Sequence, residues 1–175
     1  MLLKSIENRR SIRKYKPAPV SSEQIKALLT AAMLAPSACN TRPWRFVVIT
    51  QRDALNKLAQ AHPYAKMLET APLCIAVVAV PNAQKNVRDG LPVGFYPQDC
   101  GAATQNILLQ AEEMGLGSCW CGVYPKDATT SALAEIGVIQ LHEDEVLFSL
   151  IAIGEKDESP NPRGKYEDEK VTWIS

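Results

Sequence analysis

Arg9-Arg10-Ser11-Ile12-Arg13-Lys14-Tyr15-Lys16 places five cationic side chains in eight positions. Guanidinium groups grip phosphate oxygens through paired hydrogen bonds, and a serine hydroxyl among them adds a short-range donor. The chain as a whole balances 19 Lys+Arg against 19 Asp+Glu, for a formal net charge of zero. A local cluster in a neutral protein points to one small anionic group, whereas a nucleic-acid surface would spread along a whole face. A solvated, positively charged helix end is the other reading these residues allow.

Other reactive side chains offer less. The five cysteines, Cys39, Cys74, Cys100, Cys119 and Cys121, are odd in number and sit in apolar contexts. They read as buried thiols in a reducing compartment, not as a disulfide framework. Cys119-Trp120-Cys121 has C-x-C spacing with no second thiol or imidazole pair, and His62 and His142 stand in ordinary settings, so no metal site is expected. G-x-S-x-G, H-E-x-x-H and P-loop patterns are absent. Gly115-Leu116-Gly117 follows a helical stretch and lacks the third glycine of a dinucleotide turn. Carboxylates cluster only in runs such as Glu143-Asp144-Glu145. No side chain is equipped as a catalytic nucleophile or base, which moves the chemistry to a cofactor that the protein binds and tunes.

The elements that must position the cluster follow from the hydrophobic pattern. With 175 residues, 46% hydrophobic and 22% charged, the chain fits one globular domain over residues 1–175. Charge arrives too early after Met1 for a signal peptide. The longest apolar run, residues 73–80, has a strand's length and is too short to span a bilayer, so a cytoplasmic location without membrane contact is the default expectation. A short helix is expected over 5–10. Ser21 and Gln24 have capping-box spacing, and Val20 and Ile25 staple spacing. They open a helix whose apolar face is Ile25, Leu28, Leu29, Ala32 and Met33. Strands are expected over 45–50, 73–80, 118–123 and 146–153, the last closed by Gly154. Helices are expected over 53–61, 98–114 and from Pro125 to about 136, with a further short helix over 64–70. Residues 81–97 read as a long connection bordering a site. Glu112 and Glu113 fall in a last helical turn, against the helix dipole, and the pattern supplies no reason for them. Trp173 and Ile174 at the end of the tail should pack on the domain or on a partner chain. Strands alternating with helices are compatible with a doubly wound sheet as well as with an antiparallel one.

Four pieces follow one another along the chain: Arg9-Arg10-Ser11-Ile12-Arg13; Ala35 to Trp44 with Pro36-Ser37-Ala38-Cys39-Asn40 inside it; Asn106-Ile107-Leu108-Leu109 with Gly115 to Gly122; and Gly154-Glu155-Lys156 with Arg163 beyond. In this order they resemble the FMN-dependent nitroreductase family over nearly the full length. The resemblance implies an α+β fold with a mostly antiparallel central sheet, helices on both faces and an extended C-terminal arm. It implies a homodimer with FMN at the interface. Arg9, Arg10, Ser11 and Arg13 would hold the phosphate and ribityl chain and reach the pyrimidine edge, with Arg163 as a second phosphate contact. Pro36, Ser37 and Asn40 would reach the flavin of the other subunit. Trp120, Cys121 and Gly122 would face the ring, with a backbone N–H at N5. Arg42 and Cys39 depart from the family's usual residues. The implied reaction is ping-pong: NADH or NADPH gives a hydride to FMN, and a nitroaromatic, quinone or related small molecule takes the electrons. An FMN-binding or sensory module, and a dehalogenating or flavin-degrading branch of the same scaffold, are the alternatives.

Overall fold

The chain was analysed as a computed structural model, which describes residues 1–83, 94–125, 128–161, 164 and 166–174. Helices are α1 (Lys4–Asn8), α2 (Ser22–Met33), α3 (Arg52–Ala61), α4 (Tyr96–Glu113) and α5 (Ala128–Glu135); strands are β1 (Trp44–Ile49), β2 (Leu73–Ala79), β3 (Leu116–Gly122) and β4 (Val146–Glu155). The sheet order is β1-β2-β4-β3, and all three pairings are antiparallel. The doubly wound alternative is thereby excluded. No helix among the described residues is long and apolar enough to cross a membrane.

Every residue of β2 is buried, and its two-residue period sorts the core into two layers. Cys74, Ala76 and Val78 face Leu55 and Leu58 of α3 and Leu133 of α5. Leu73, Ile75, Val77 and Ala79 face Leu28 of α2 and Ala103 and Ile107 of α4. Each fully buried Leu or Ile contributes about 1.5–3 kcal/mol, so the two layers hold the sheet from both sides. The start of α2 is as expected: Ser21 Oγ accepts from Gln24 N–H, and the Gln24 side chain accepts from Ser21 N–H. Val20 and Ile25 both pack on the second layer.

Several boundaries differ from expectation for identifiable reasons. Helix α1 stops at Asn8 because Arg9 turns extended, with φ −55° and ψ 130°. At the other end of the chain β4 does not stop at Gly154. It runs on to Glu155, since a Cβ on Gly154 would lie 2.6 Å from Pro72 Cδ and 3.0 Å from the Tyr15 ring. This glycine lets residues 11–16 lie close against the sheet; it does not end the strand. Gly115, with φ +74°, ends α4, while Leu116 and Gly117 already belong to β3. Glu112 at the end of α4 also acquires a reason: both its oxygens accept from Lys156 Nζ, at 2.7 and 2.8 Å. The expected connection over 81–97 resolves into a 3-10 turn, Pro81–Ala83, and the early start of α4 at Tyr96; residues 84–93 lie outside the described residues. In the tail, Trp173 and Ile174 are 83% and 98% exposed, so neither packs on its own chain.

Candidate functional site

The basic segment is sewn onto the ends of β3 and β4 by its backbone. Ile12 N–H donates to Ser118 O, Lys16 N–H to Glu155 O and Asp157 N–H to Lys14 O, each at 3.0 Å. Ser11 pairs in parallel with Ser118 and Tyr15 in antiparallel with Lys156. Ile12 and Tyr15 are buried at 2% and 6% exposure and anchor the segment, and the Tyr15 hydroxyl faces the carbonyls of Ile12 and Ala152. Alternation then turns Ser11 and Arg13 away from Ile12. Gly117 makes the fit possible, since a Cβ there would fall 2.7 Å from Ile12 Cγ2.

Two cavities meet at Arg13. One, of about 310 Å3, is walled by Arg9, Arg10, Ser11, Arg13 and Glu158. The other, of about 640 Å3, includes Arg13, Tyr64, Lys66, Met67, Cys119 and Trp120 in its wall. The first is cationic at one end. The second is wider and mixes apolar surface with the ammonium of Lys66. The arginines are not equivalent. Arg10 Nη1 donates to Glu7 O at 2.8 Å and to Arg9 O at 2.7 Å, so this side chain closes the C-terminal end of α1. Among the described residues Arg9 and Arg13 have no comparable side-chain commitment, and Arg13 alone of the three lines both cavities. The backbone N–H groups of Arg13 and Lys14 are taken by Glu158 Oε1, at 2.5 and 3.2 Å.

The thiol of Cys119 registers the local field. It is drawn below the ordinary thiol range chiefly by the neighbouring Cys121 thiol, with further contributions from Arg13, Ser11 and Arg9, while Cys121 is pushed up by Cys119 and by burial. Trp120 is no core aromatic. Its indole packs on Phe148 at a centroid distance of 5.9 Å yet stays 38% exposed and faces the larger cavity. Cys121 is buried, with its thiol directed to Tyr64 O at 3.5 Å. Gly122, at the end of β3, differs from Gly117 and Gly154: a Cβ there would meet nothing within 4 Å. The fold does not require glycine at that position. It leaves the strand end bare, as suits the close approach of a ligand.

Pro36, Ser37 and Asn40 do not join this group within the chain; neither cavity includes them. They lie on a stiff loop where Cys39, Asn40 and Arg42 hold φ of 53°, 53° and 51°, a left-handed conformation that side chains resist. The loop is tied down from three directions. Asp99 accepts from Ala38 N–H at 3.1 Å, Ser37 Oγ accepts from Arg42 N–H at 2.9 Å, and Arg42 Nη2 donates to Met33 O at 2.9 Å. Backbone strain of this kind, over-determined by surrounding bonds, concentrates at functional positions. Arg163 lies outside the described residues.

Sequence reasoning missed the wall formed by Tyr64, Lys66 and Met67 on and beside the 3-10 turn Lys66–Glu69; a lone lysine in a short turn carries no signal. It also passed over His62, which is 1% exposed and makes specific contacts with both its ring nitrogens. Among the described residues, no three His, Cys, Asp or Glu side chains are grouped to hold a metal ion.

Comparison with known proteins places this geometry. The profile of the nitroreductase family matches residues 6–62 and 60–155. A protein of Archaeoglobus fulgidus, named as a candidate NADH dehydrogenase/NAD(P)H nitroreductase, is 44% identical over 157 residues, covering 89% of this chain and 86% of its own length. A crystal structure of a protein of the same designation from Parabacteroides distasonis superposes with a TM-score of 0.88 at 33% identity, over 98% of this chain and 96% of that one. An FMN-dependent nitroreductase from Clostridium difficile superposes with a TM-score of 0.83 at 30% identity, over 98% of both chains.

Proposed function

The chain belongs to the nitroreductase family, and from that premise we propose that it is a single-domain, FMN-dependent NAD(P)H oxidoreductase reducing nitroaromatics, quinones or related small acceptors. The observation that carries the proposal is the pair of cavities joined at Arg13, one cationic and the other wide, with Cys119 and Trp120 of β3 in the wall of the wider one and the bare Gly122 ending the same strand two residues on. A flavin mononucleotide needs a phosphate socket continuous with a slot for a flat ring, and the residues present fit that need.

Arg9 and Ser11 would hold the phosphate, with Arg10 fixing the helix end that presents them and Arg163 as a further contact. Arg13, at the junction, would lie beside the polyol and the ring edge. Lys66 adds positive charge to the ring cavity, where it would favour negative charge on the ring. Trp120, Cys121 and Gly122 would border the ring, Gly122 through its backbone. When bound, FMN supplies the hydride-accepting and electron-donating centre that links NADH or NADPH to the acceptor in ping-pong order. No side chain of the chain need act as acid or base.

The same reading makes the protein a cytoplasmic homodimer. Pro36, Ser37 and Asn40, held on a preorganised loop away from their own chain's cavities, would complete the site of the second copy. The exposed Met33, Leu34, Trp173 and Ile174 supply apolar surface for that contact, with residues 166–174 as the exchanged arm.

The test is anaerobic mixing of the yellow protein with NADH or NADPH. Bleaching, followed by recovery of colour on adding nitrofurazone or menadione, is the expected result. Absence of bleaching with either nucleotide would leave an FMN-binding module, and a protein that takes up no FMN would overturn the reading. Replacing Arg9 and Arg13 with Ala should release FMN from a folded chain.

A further inference from the structure

His62 sits where α3 ends and all its polar groups are engaged. Its N–H donates to Leu58 O at 3.1 Å, and its carbonyl accepts from Ala65 N–H at 3.0 Å. On the ring, Nδ1 accepts from Tyr64 N–H at 3.1 Å, and Nε2 lies 2.9 Å from Gly122 O. An atom that accepts from a backbone N–H carries a lone pair, so the proton of the neutral imidazole is on Nε2 and is donated to Gly122 O. A second tether runs beside it, from the Cys121 thiol to Tyr64 O. The peptide joining Gly122 to Val123 is thus held from both sides, by His62 at its carbonyl and by Phe148 O at its N–H.

The two walls of the larger cavity are therefore pinned to each other. Pro63, Tyr64, Lys66 and Met67 form one wall, Cys119 and Trp120 of β3 belong to the other, and His62 bonds the first to Gly122 at the end of that same strand. We propose that His62 is a positioning residue, clamping Tyr64 to Gly122 so that the strand end meets a bound flavin ring at a fixed place. This rests on the FMN reading above. The two backbone bonds are what a plain turn after a helix requires; the two further bonds made by the buried ring exceed it. An apolar residue would fill the same space without fixing the orientation of the Gly122 carbonyl.

The test uses the full-length chain and FMN itself. His62→Phe keeps a ring without either hydrogen bond, and His62→Gln keeps one donor and one acceptor. Flavin fluorescence titration of the apoprotein should show at least about tenfold weaker binding for His62→Phe, with a shifted absorbance maximum of the bound flavin, and recovery to within about threefold for His62→Gln. A folded His62→Phe protein that binds FMN with wild-type affinity and spectrum overturns the proposal. Should that variant not fold, 15N spectra of the wild-type ring decide: an Nδ1–H tautomer refutes the clamp, and an Nε2–H tautomer with a recovered Gln variant supports it. If the wild-type protein takes up no FMN, the cofactor reading fails first. The clamp is then judged by amide exchange at Tyr64, expected to be at least about tenfold faster in His62→Phe, and unchanged exchange refutes it.

Discussion

Arg45 and Glu145 tie the edge strand β1 to the turn that enters β4, and their rupture should be measurable as a pH-dependent loss of stability. Arg45 Nε and Nη2 each donate to a different oxygen of Glu145 at 2.6 Å, and Nη2 also reaches Gln140 O at 2.6 Å. His142 N–H donates to Glu145 Oε2 at 2.9 Å. The Glu145 side chain is 4% exposed and that of Arg45 33%. The hydrogen bonds from Arg45, with the His142 N–H behind them, draw the carboxyl from its ordinary 4.5 down to about 2. A shift of that size would be worth about 3 kcal/mol if all of it were realised, and the water-facing side of Arg45 screens part, leaving about 2 kcal/mol. Because the folded carboxyl holds its proton less tightly than the unfolded one, this stabilisation is fully present above pH 4.5 and is lost as pH falls towards 2. Arg45→Met should therefore lower the urea-unfolding free energy by about 2 kcal/mol at neutral pH, or the melting temperature by roughly 4–8 °C. The gap to wild type should shrink by more than half at a pH of about 3. An equal gap at both pH values, or a neutral-pH loss below about 0.5 kcal/mol, would show that the pair is only a surface contact.

Three further substitutions separate fold from site. Gly117→Ala drives a methyl into Ile12, and should cost about 1–3 kcal/mol in urea unfolding while also weakening FMN binding, because the Arg13 segment is displaced. Gly122→Ala meets open space; it should leave unfolding within about 0.5 kcal/mol of wild type yet reduce FMN affinity at least about tenfold by titration. Ser21→Ala removes one half of the box that starts α2, and should cost about 1 kcal/mol by thermal or urea unfolding with no change in flavin occupancy.

What the sequence revealed was local. Ser21 and Gln24 announced the start of α2 because a cap is decided within four residues, and the unbroken apolar run of β2 announced a strand covered on both faces. The cationic cluster was equally visible, and the order of four short pieces linked it to a family. Contacts distant in sequence were not legible. Glu112 looked misplaced until Lys156, 44 residues away, reached it. Gly154 looked like a terminator because the ring of Tyr15 that packs on it comes from the other end of the chain. His62 looked ordinary because its significance depends on Gly122, 60 residues later. The strand order β1-β2-β4-β3 was hidden for the same reason. Periodicity says which faces are buried, and not which strand lies beside which.

The attachment of the Arg13 segment has a consequence for how the protein is made. Arg13 leaves the ribosome well ahead of Glu158, which accepts its N–H and lies 145 residues further along the chain. At about 5–20 residues per second, roughly 7–30 s of synthesis separate the two. For most of that interval the basic segment has no β3 (Leu116–Gly122) to lie on, and until its close it lacks the end of β4, so a nascent chain can bury much of its core before the cationic socket is complete. Assembly of the site is thus a late event in folding. A chain truncated before residue 155 should keep many of its helical contacts and the Ile12–Ser118 bond, and lose the bonds of Arg13, Lys14 and Lys16 to Glu155, Asp157 and Glu158 together.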